Sequence, residues 1–371
     1  MLRTEAVVDL RAITANVAAM KSGTPAELMA VVKADGYGHG LLPAARAALA
    51  GGATWLGTAI VGEAIALRAA GIDVPILAWL WTPGETDTIA RAVAADIDIS
   101  ASGPWQLETV IAAVREQGHP ARVHLKVDTG LCRNGAYVTD WPDLVTAAAK
   151  AQAAGEIQVV GVWSHFAYAD APGHPTIGRQ LAVFRDALGV ARSAGVEPQL
   201  RHIANSAATL TLPAAHFDLV RPGIAVYGLS PVDESFGLVP AMTLRAAAAG
   251  VKRVGPGQGV SYGHEYVTER ETTLVLVPLG YADGVPRHAG NVGPVWVNGR
   301  RFTVSGRVCM DQIVVDVGDL SVAPGDPVVL FGTGEDGTPT ARDWADAIGT
   351  IHYEIVTRVG PRVQRTYVGG P

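Results

Sequence analysis

Residues 97–127 read IDISASGPWQLETVIAAVREQGHPARVHLKV, and the spacing of their apolar positions decides the fold. Ile97–Ser100 and Arg122–Val127 are short runs rich in β-branched residues, and Trp105–Gln117 between them carries apolar residues at helical spacing. The same unit repeats in both directions. Strand-like runs lie at Leu28–Val32, Trp55–Thr58 and Pro75–Ala78 before it, and at Ile157–Trp163, Gln199–Ile203 and Phe217–Val220 after it. Helical stretches such as Glu63–Ala70 and Arg179–Ser193 separate them. Continuously apolar strands joined by helices imply a parallel sheet covered by helices, and eight such units imply an α/β fold of the (β/α)8 TIM-barrel type. An open doubly wound sheet is the competing architecture, but no Gly-rich fingerprint follows the first strand.

The pattern changes after about Pro231. Helical spacing thins out, and strand-like runs appear at Thr272–Pro278, Val295–Val297, Phe302–Ser305, Ile313–Val317 and Pro327–Phe331. Asn298-Gly299 between two of them predicts a hairpin, because both residues tolerate the positive φ of a type I′ turn. The expected division is a barrel over residues 1–238 and a mainly β C-terminal domain over 239–371, with one helix near Thr340–Ile348.

Composition narrows the function. The chain has 371 residues, 49% hydrophobic and 17% charged, with a net charge of −6 and no dense acidic or basic block. That suits a compact globular protein and is poor material for gripping a phosphate backbone, so no nucleic-acid partner is expected. No apolar run approaches the ~18 residues that span a bilayer, and Met1–Glu5 lacks the features of a signal peptide. A cytoplasmic protein with no membrane partner is the expectation. Cys132 and Cys309 make neither a disulfide framework nor a metal site. The five lysines (Lys21, Lys33, Lys126, Lys150, Lys252) are few beside the arginines. Lysine is therefore informative where it occurs, since arginine cannot act as a Schiff-base amine.

Active sites of (β/α)8 barrels lie at the C-terminal ends of the strands. Lys33 follows the first strand, Lys126, Asp128 and Arg133 lie at the fifth, His165 at the sixth, His202, Asn205 and Ser206 at the seventh, and Arg221 and Gly223 at the eighth. Each alone has an ordinary explanation, such as a snorkelling lysine, a satisfied core histidine or an ion-paired arginine. Five strand ends of eight carrying such groups point to a site. The loops after strands seven and eight are the usual phosphate site of the fold. Asn205-Ser206 there opens a helical stretch, and Gly223 permits close backbone approach. A helix cap and a turn glycine would explain the same residues. A phosphate grip opposite Lys33 suggests pyridoxal 5′-phosphate (PLP), held by that lysine and acting as electron sink for an α-carbanion. Arg221, standing where a carboxylate often faces the pyridine nitrogen, would disfavour protonation of that nitrogen, which suits racemisation.

These residues resemble the alanine racemase family, and the likeness runs over the whole chain. It is carried by Val32-Lys33-Ala34-Asp35-Gly36-Tyr37-Gly38-His39-Gly40, Lys126-Val127-Asp128-Thr129-Gly130, Ser164-His165-Phe166-Ala167, Ala204-Asn205-Ser206-Ala207 and Val220-Arg221-Pro222-Gly223-Ile224. Val260-Ser261-Tyr262-Gly263, Gly280-Tyr281-Ala282-Asp283-Gly284, Cys309-Met310-Asp311-Gln312 and His352-Tyr353-Glu354 follow in order. The resemblance implies a homodimer with shared active sites that takes a small amino acid and racemises it with two bases, Lys33 and the other subunit's Tyr262. It also implies that His165 contacts Tyr262 and is linked to Arg221. Tyr37, His165, Asn205, Ser206, Arg221, Gly223, Ile224 and Tyr353 would surround the cofactor. Arg133 would bind the substrate carboxylate, Met310 would face the substrate, and Asp170, Tyr281, Arg287 and Arg307 would line an entryway. Lys126 matches a lysine often carbamylated in relatives; an unmodified lysine paired with Asp128 is the ordinary alternative. Cys132 stands where relatives usually have glycine, next to Arg133, which bears on substrate fit.

Alanine is the expected substrate, with D-alanine supplied to peptidoglycan. A serine or basic-amino-acid racemase, a PLP decarboxylase and a non-catalytic PLP carrier are the alternatives. Decarboxylases need acidic residues for a distal amine, and no such motif is visible. A carrier has no use for a second domain bearing Tyr262. Catabolism of alanine and a resistance-conferring copy in an antibiotic producer are the alternative roles.

Overall fold

The computed structural model describes residues 2–370. Its first strand, β1 (Thr4–Asp9), takes no part in the parallel sheet that follows. That sheet contains β2 (Glu27–Val31), β3 (Trp55–Ile60), β4 (Ile76–Leu80), β5 (Asp98–Ala101), β6 (Ala121–Lys126), β7 (Ile157–Trp163), β8 (Leu200–His202) and β9 (Leu219–Val220), in the order β8-β7-β6-β5-β4-β3-β2-β9. The backbone N–H of Asp218 donates to Arg201 O (3.1 Å) and that of Arg221 to Ala204 O (3.0 Å), which joins β9 to β8 and closes the barrel. All eight expected strands are present within about two residues of their expected bounds. They were legible because both faces are covered, so few positions are polar. Helices cover the outside, among them Val61–Ala69, Pro104–Gln117 and Pro175–Ser193. The interior holds Met29, Trp55, Leu77, Val160 and Leu219, bulky enough to fill the barrel.

The chain divides into two compact units, Ile13–Gly36 with Ala44–Leu238, and Met1–Ala12 with Tyr37–Pro43 and Val239–Pro371. The N-terminal residues, expected with the barrel, therefore belong with the mainly β unit. Strand pairing explains this: β1 runs antiparallel to β10 (Met242–Ala247) and parallel to the last strand of the chain, Gln364–Val368. It is an internal strand of a six-stranded sheet. A three-stranded sheet accompanies it. The expected hairpin joins Pro294–Val297 to Arg300–Thr303, with Asn298 at φ 42° and Gly299 at φ 85°. The helix Ala341–Ile348 starts at a Thr340 capping box, and a second helix, His352–Thr357, was not expected.

Candidate active site

Lys33 lies just past the C-terminal end of β2, and the backbone after it makes a left-handed turn. Ala34, Asp35 and Gly36 have φ/ψ of 54/52°, 53/48° and 61/43°, and Tyr37 follows at φ 53°. Left-handed conformation costs roughly 1–2 kcal/mol per non-glycine residue, so the turn is strained and must be held. The Gly36 N–H donates to Val32 O (2.8 Å) and the Asp35 N–H to Glu63 Oε1 (3.3 Å). The Lys33 ammonium lies 5.9 Å from the Trp79 ring centre. Burial, followed by the Arg133 charge, lowers the Lys33 pKa, with Glu63 opposing. The amine is thereby easier to deprotonate than a surface lysine.

Lys126, the last residue of β6, is 4% exposed, and its amine sits 4.2 Å from the centre of the Trp163 ring. Burial first, then Arg221 and Arg133, push its pKa down to about 7. Asp128 raises it only electrostatically, because Asp128 Oδ1 accepts the backbone N–H groups of Gly130 (2.8 Å), Leu131 (3.0 Å) and Cys132 (3.1 Å). The carboxylate thus shapes the loop that presents Arg133. The loop returns onto β6, with the Ala136 N–H donating to Lys126 O (2.8 Å) and the Asp128 N–H to Ala136 O (2.9 Å). A Cβ at Gly135 (φ 128°) would lie 2.6 Å from Asp128 N, so only glycine fits this return. Cys132 adopts φ 54°, the conformation glycine takes readily, so the cysteine keeps the glycine-like backbone at some strain. Arg133 itself is exposed.

Arg221 is the hub of the opposite wall. Its Nη1 donates to His202 Nδ1 (3.0 Å), its Nη2 to Ser164 O (2.8 Å), and Nη2 lies 3.3 Å from His165 Nδ1. It rests 4.9 Å from the Trp163 ring centre, and burial pushes its pKa down to about 9. Burial and then Arg221 hold His165 well below the usual imidazole range, so its ring is neutral. Because Arg221 can only donate, His165 Nδ1 accepts and the His165 proton is on Nε2.

At the ends of β8 and β9, Asn205 caps the helix Ser206–Thr211 by accepting from the Ala208 N–H (3.1 Å). Buried Ser206 Oγ accepts the backbone N–H groups of Gly223 (2.8 Å) and Ala225 (3.4 Å), fixing the Gly223-Ile224 backbone beside that helix start. Lys33, Lys126, His165 and Arg221 are therefore brought together around the barrel mouth, with Arg133 close enough to bear on the first three. Two contributors were not singled out from sequence. Trp163 is the platform under Lys126 and Arg221, and Glu63 is the carboxylate behind Lys33. A tryptophan ending an inward-facing strand was the one available signal.

The remaining expected residues belong to the second unit, apart from Asp170, which is exposed in the loop after β7. There Tyr37 and Tyr353 pack with ring centres 6.4 Å apart, and burial raises the Tyr37 pKa. Tyr262 is 72% exposed, held out by Ser261, whose Oγ donates to Arg307 O (2.7 Å). Exposed Tyr281 and Met310 are aligned by the Tyr281 N–H donating to Cys309 O (3.0 Å) and the Ala282 N–H to Met310 O (2.9 Å). Arg307 pairs with Glu265 (2.5 Å), and Arg287 is exposed in a short 3₁₀ turn. Among the described residues no cluster of three or more His, Cys, Asp or Glu could hold a metal ion. No helix of the described residues is long and apolar enough to cross a membrane.

Comparison with known proteins bears on the family of the whole chain. Family models described as "Alanine racemase, N-terminal domain" and "Alanine racemase, C-terminal domain" match residues 8–231 and 241–367. An alanine racemase of Salinispora arenicola is 63% identical over 371 residues, covering 100% of this chain and 99% of its own. The crystal structure of alanine racemase from D-cycloserine-producing Streptomyces lavendulae superposes with a TM-score of 0.98 at 57% identity, covering 100% of this chain and 98% of its own. That of Streptomyces coelicolor gives 0.97 at 58% identity, over 99% and 98%. With both domains matched, in order and over nearly their full length, the chain belongs to the alanine racemase family of isomerases.

Proposed function

We propose that the chain interconverts L- and D-alanine with pyridoxal 5′-phosphate attached at Lys33. The observation that carries the reading is the set of cations at the barrel mouth. Lys33, Lys126, Arg133 and Arg221 outnumber the nearby carboxylates Glu63 and Asp128, and a surplus of this kind fits an anionic ligand. The phosphate would lie against Ser206, Gly223 and Ile224, with Asn205, Tyr37 and Tyr353 around it. Arg221 would face the pyridine nitrogen. Bound there, PLP withdraws electrons from the substrate α-carbon and makes its proton removable.

The chain's own groups do the rest. The depressed pKa of Lys33 lets its amine hold or release a proton on one face of the α-carbon. Tyr262 of a second copy would serve the other face, its phenolate stabilised by the His165 Nε2–H, which Arg221 keeps in place. Arg133 would bind the substrate carboxylate. Asp170, Tyr281, Arg287 and Arg307 would line the approach, and Met310 would limit the pocket to a small side chain. Lys126, with a pKa of about 7, supplies the neutral amine that adds carbon dioxide to give a carbamate and a proton. A homodimer is supported by exposed apolar residues on the barrel's C-terminal rim, including Ile60, Leu80, Trp105, Tyr137 and Tyr168. The role we assign is cytoplasmic supply of D-alanine for peptidoglycan.

The test is loss of optical activity from L-alanine with added PLP, beside parallel L-serine and L-lysine samples. Alanine should lose activity fastest. Optically pure alanine with PLP bound would reject the assignment, and faster loss from serine would move the substrate. Borohydride reduction should place the cofactor on the Lys33 peptide; placement on Lys126 would refute the site.

A further inference from the structure

Behind Arg221 a line of buried polar side chains continues down through the barrel. His202 Nε2 lies 2.9 Å from His124 Nδ1, and His124 Nε2 lies 3.0 Å from Asp98 Oδ2. Arg122 closes the far end, its Nε donating to Asp98 Oδ1 (2.7 Å). Asp98, His124 and His202 are all fully buried. Barrel interiors are ordinarily filled by branched apolar side chains, and apolar groups of the same volume would be no less stable than a buried charged chain. The fold also makes room for this one. A Cβ at Gly161 in β7 would overlap the His124 ring, and the β6–β7 register passes over Val160 between Val123 and His124, which sets Gly161 opposite His124. Trp163 stacks on His202 with ring centres 5.6 Å apart and planes 10° apart, while the Trp55 edge meets His124.

The direction of every bond follows from the end groups. Arg221 only donates, so His202 Nδ1 must accept and its proton is on Nε2. His202 then donates to His124 Nδ1, and the His124 proton is on Nε2, donating to the carboxylate of Asp98. A reversed His202 would set two N–H groups face to face at the Arg221 end, and a reversed His124 alone would do so between the two rings. We propose that Asp98, His124 and His202 are positioning residues, forming a one-way hydrogen-bond chain that fixes where the Arg221 guanidinium points and hence which nitrogen of His165 carries its proton. A chain of this kind is rigid because every member is satisfied by its neighbours.

Neutron diffraction from crystals of the perdeuterated holoenzyme tests the directionality. Deuterons should appear on Nε2 of both His124 and His202 and on neither Nδ1; a deuteron on either Nδ1 overturns the proposal. The second arm uses Asp98→Asn, His124→Phe and the double variant, each checked for folding by circular dichroism. This kinetic arm rests on the racemase reading, whereas the diffraction arm does not, so failure of the one is separable from failure of the other. Each single variant should lower kcat about tenfold with KM within about twofold, and the double variant should fall no further, as expected of residues acting as one unit. Folded single variants with unchanged kcat, or losses that multiply in the double variant, would overturn it. If the variants do not fold, the deuteron positions decide.

Discussion

Replacing Lys126 by methionine should change how stability depends on pH, with a sign set by burial. In the folded chain the Lys126 amine has a pKa of about 7, against 10.5 for an unperturbed lysine. Between these values the unfolded chain holds a proton that the folded chain lacks. The wild type therefore gains stability relative to Lys126→Met as pH rises through this window, and the gain is lost again as pH falls towards 7. One proton corresponds to about 1.4 kcal/mol per pH unit, so raising the pH from 7.5 to 9.5 should move the difference by about 3 kcal/mol. Below pH 7 the difference should be flat, with the penalty for burying the ammonium fully present. Urea unfolding of both proteins in carbon-dioxide-free buffer, at half-unit pH steps, measures it. A difference independent of pH, or one that shrinks the wild type's relative stability as pH rises, would refute the claim that this amine is neutralised by its surroundings.

Ala34→Gly should stabilise the chain by about 1 kcal/mol in urea unfolding, because the left-handed strain it relieves exceeds the chain entropy that glycine adds; a loss of stability would show that the turn is held without strain. Ser206→Ala leaves the Gly223 and Ala225 N–H groups without their acceptor and should cost about 1–3 kcal/mol. An unchanged unfolding midpoint at unchanged slope would argue that water replaces the hydroxyl at no cost.

Much of the barrel was visible in the sequence because strands covered on both faces leave continuous apolar runs. Their C-terminal ends then located Lys33, Lys126, His165 and Arg221 without any contact information. β1 was not visible, since its partners lie hundreds of residues away, Glu5 pairing with Arg245 and Gln364. The chain behind Arg221 was hidden for a different reason. Which residue of β7 faces His124 depends on the irregularity that passes over Val160 and sets Gly161 opposite it, and a one-residue shift of this kind leaves no mark in the apolar pattern. The left-handed turn after Lys33 left only a density of glycines as its trace, because Ala34 and Tyr37 carry no preference for positive φ. Tyr262 could be read locally as a loop tyrosine, and its local geometry is that of an exposed side chain.

The pairing of β1 orders events during synthesis. All the strands of the barrel unit are made by Val220, so that unit holds its own interior together while the ribosome is still translating. Thr4–Asp9 is made before the barrel strands, yet its neighbours are Met242–Ala247 and Gln364–Val368, which are made after them. Until they appear, β1 is an unpaired edge tethered to the barrel unit. This strand therefore stays an exposed edge through the synthesis of the whole barrel, open to wrong pairing until its two neighbours are made.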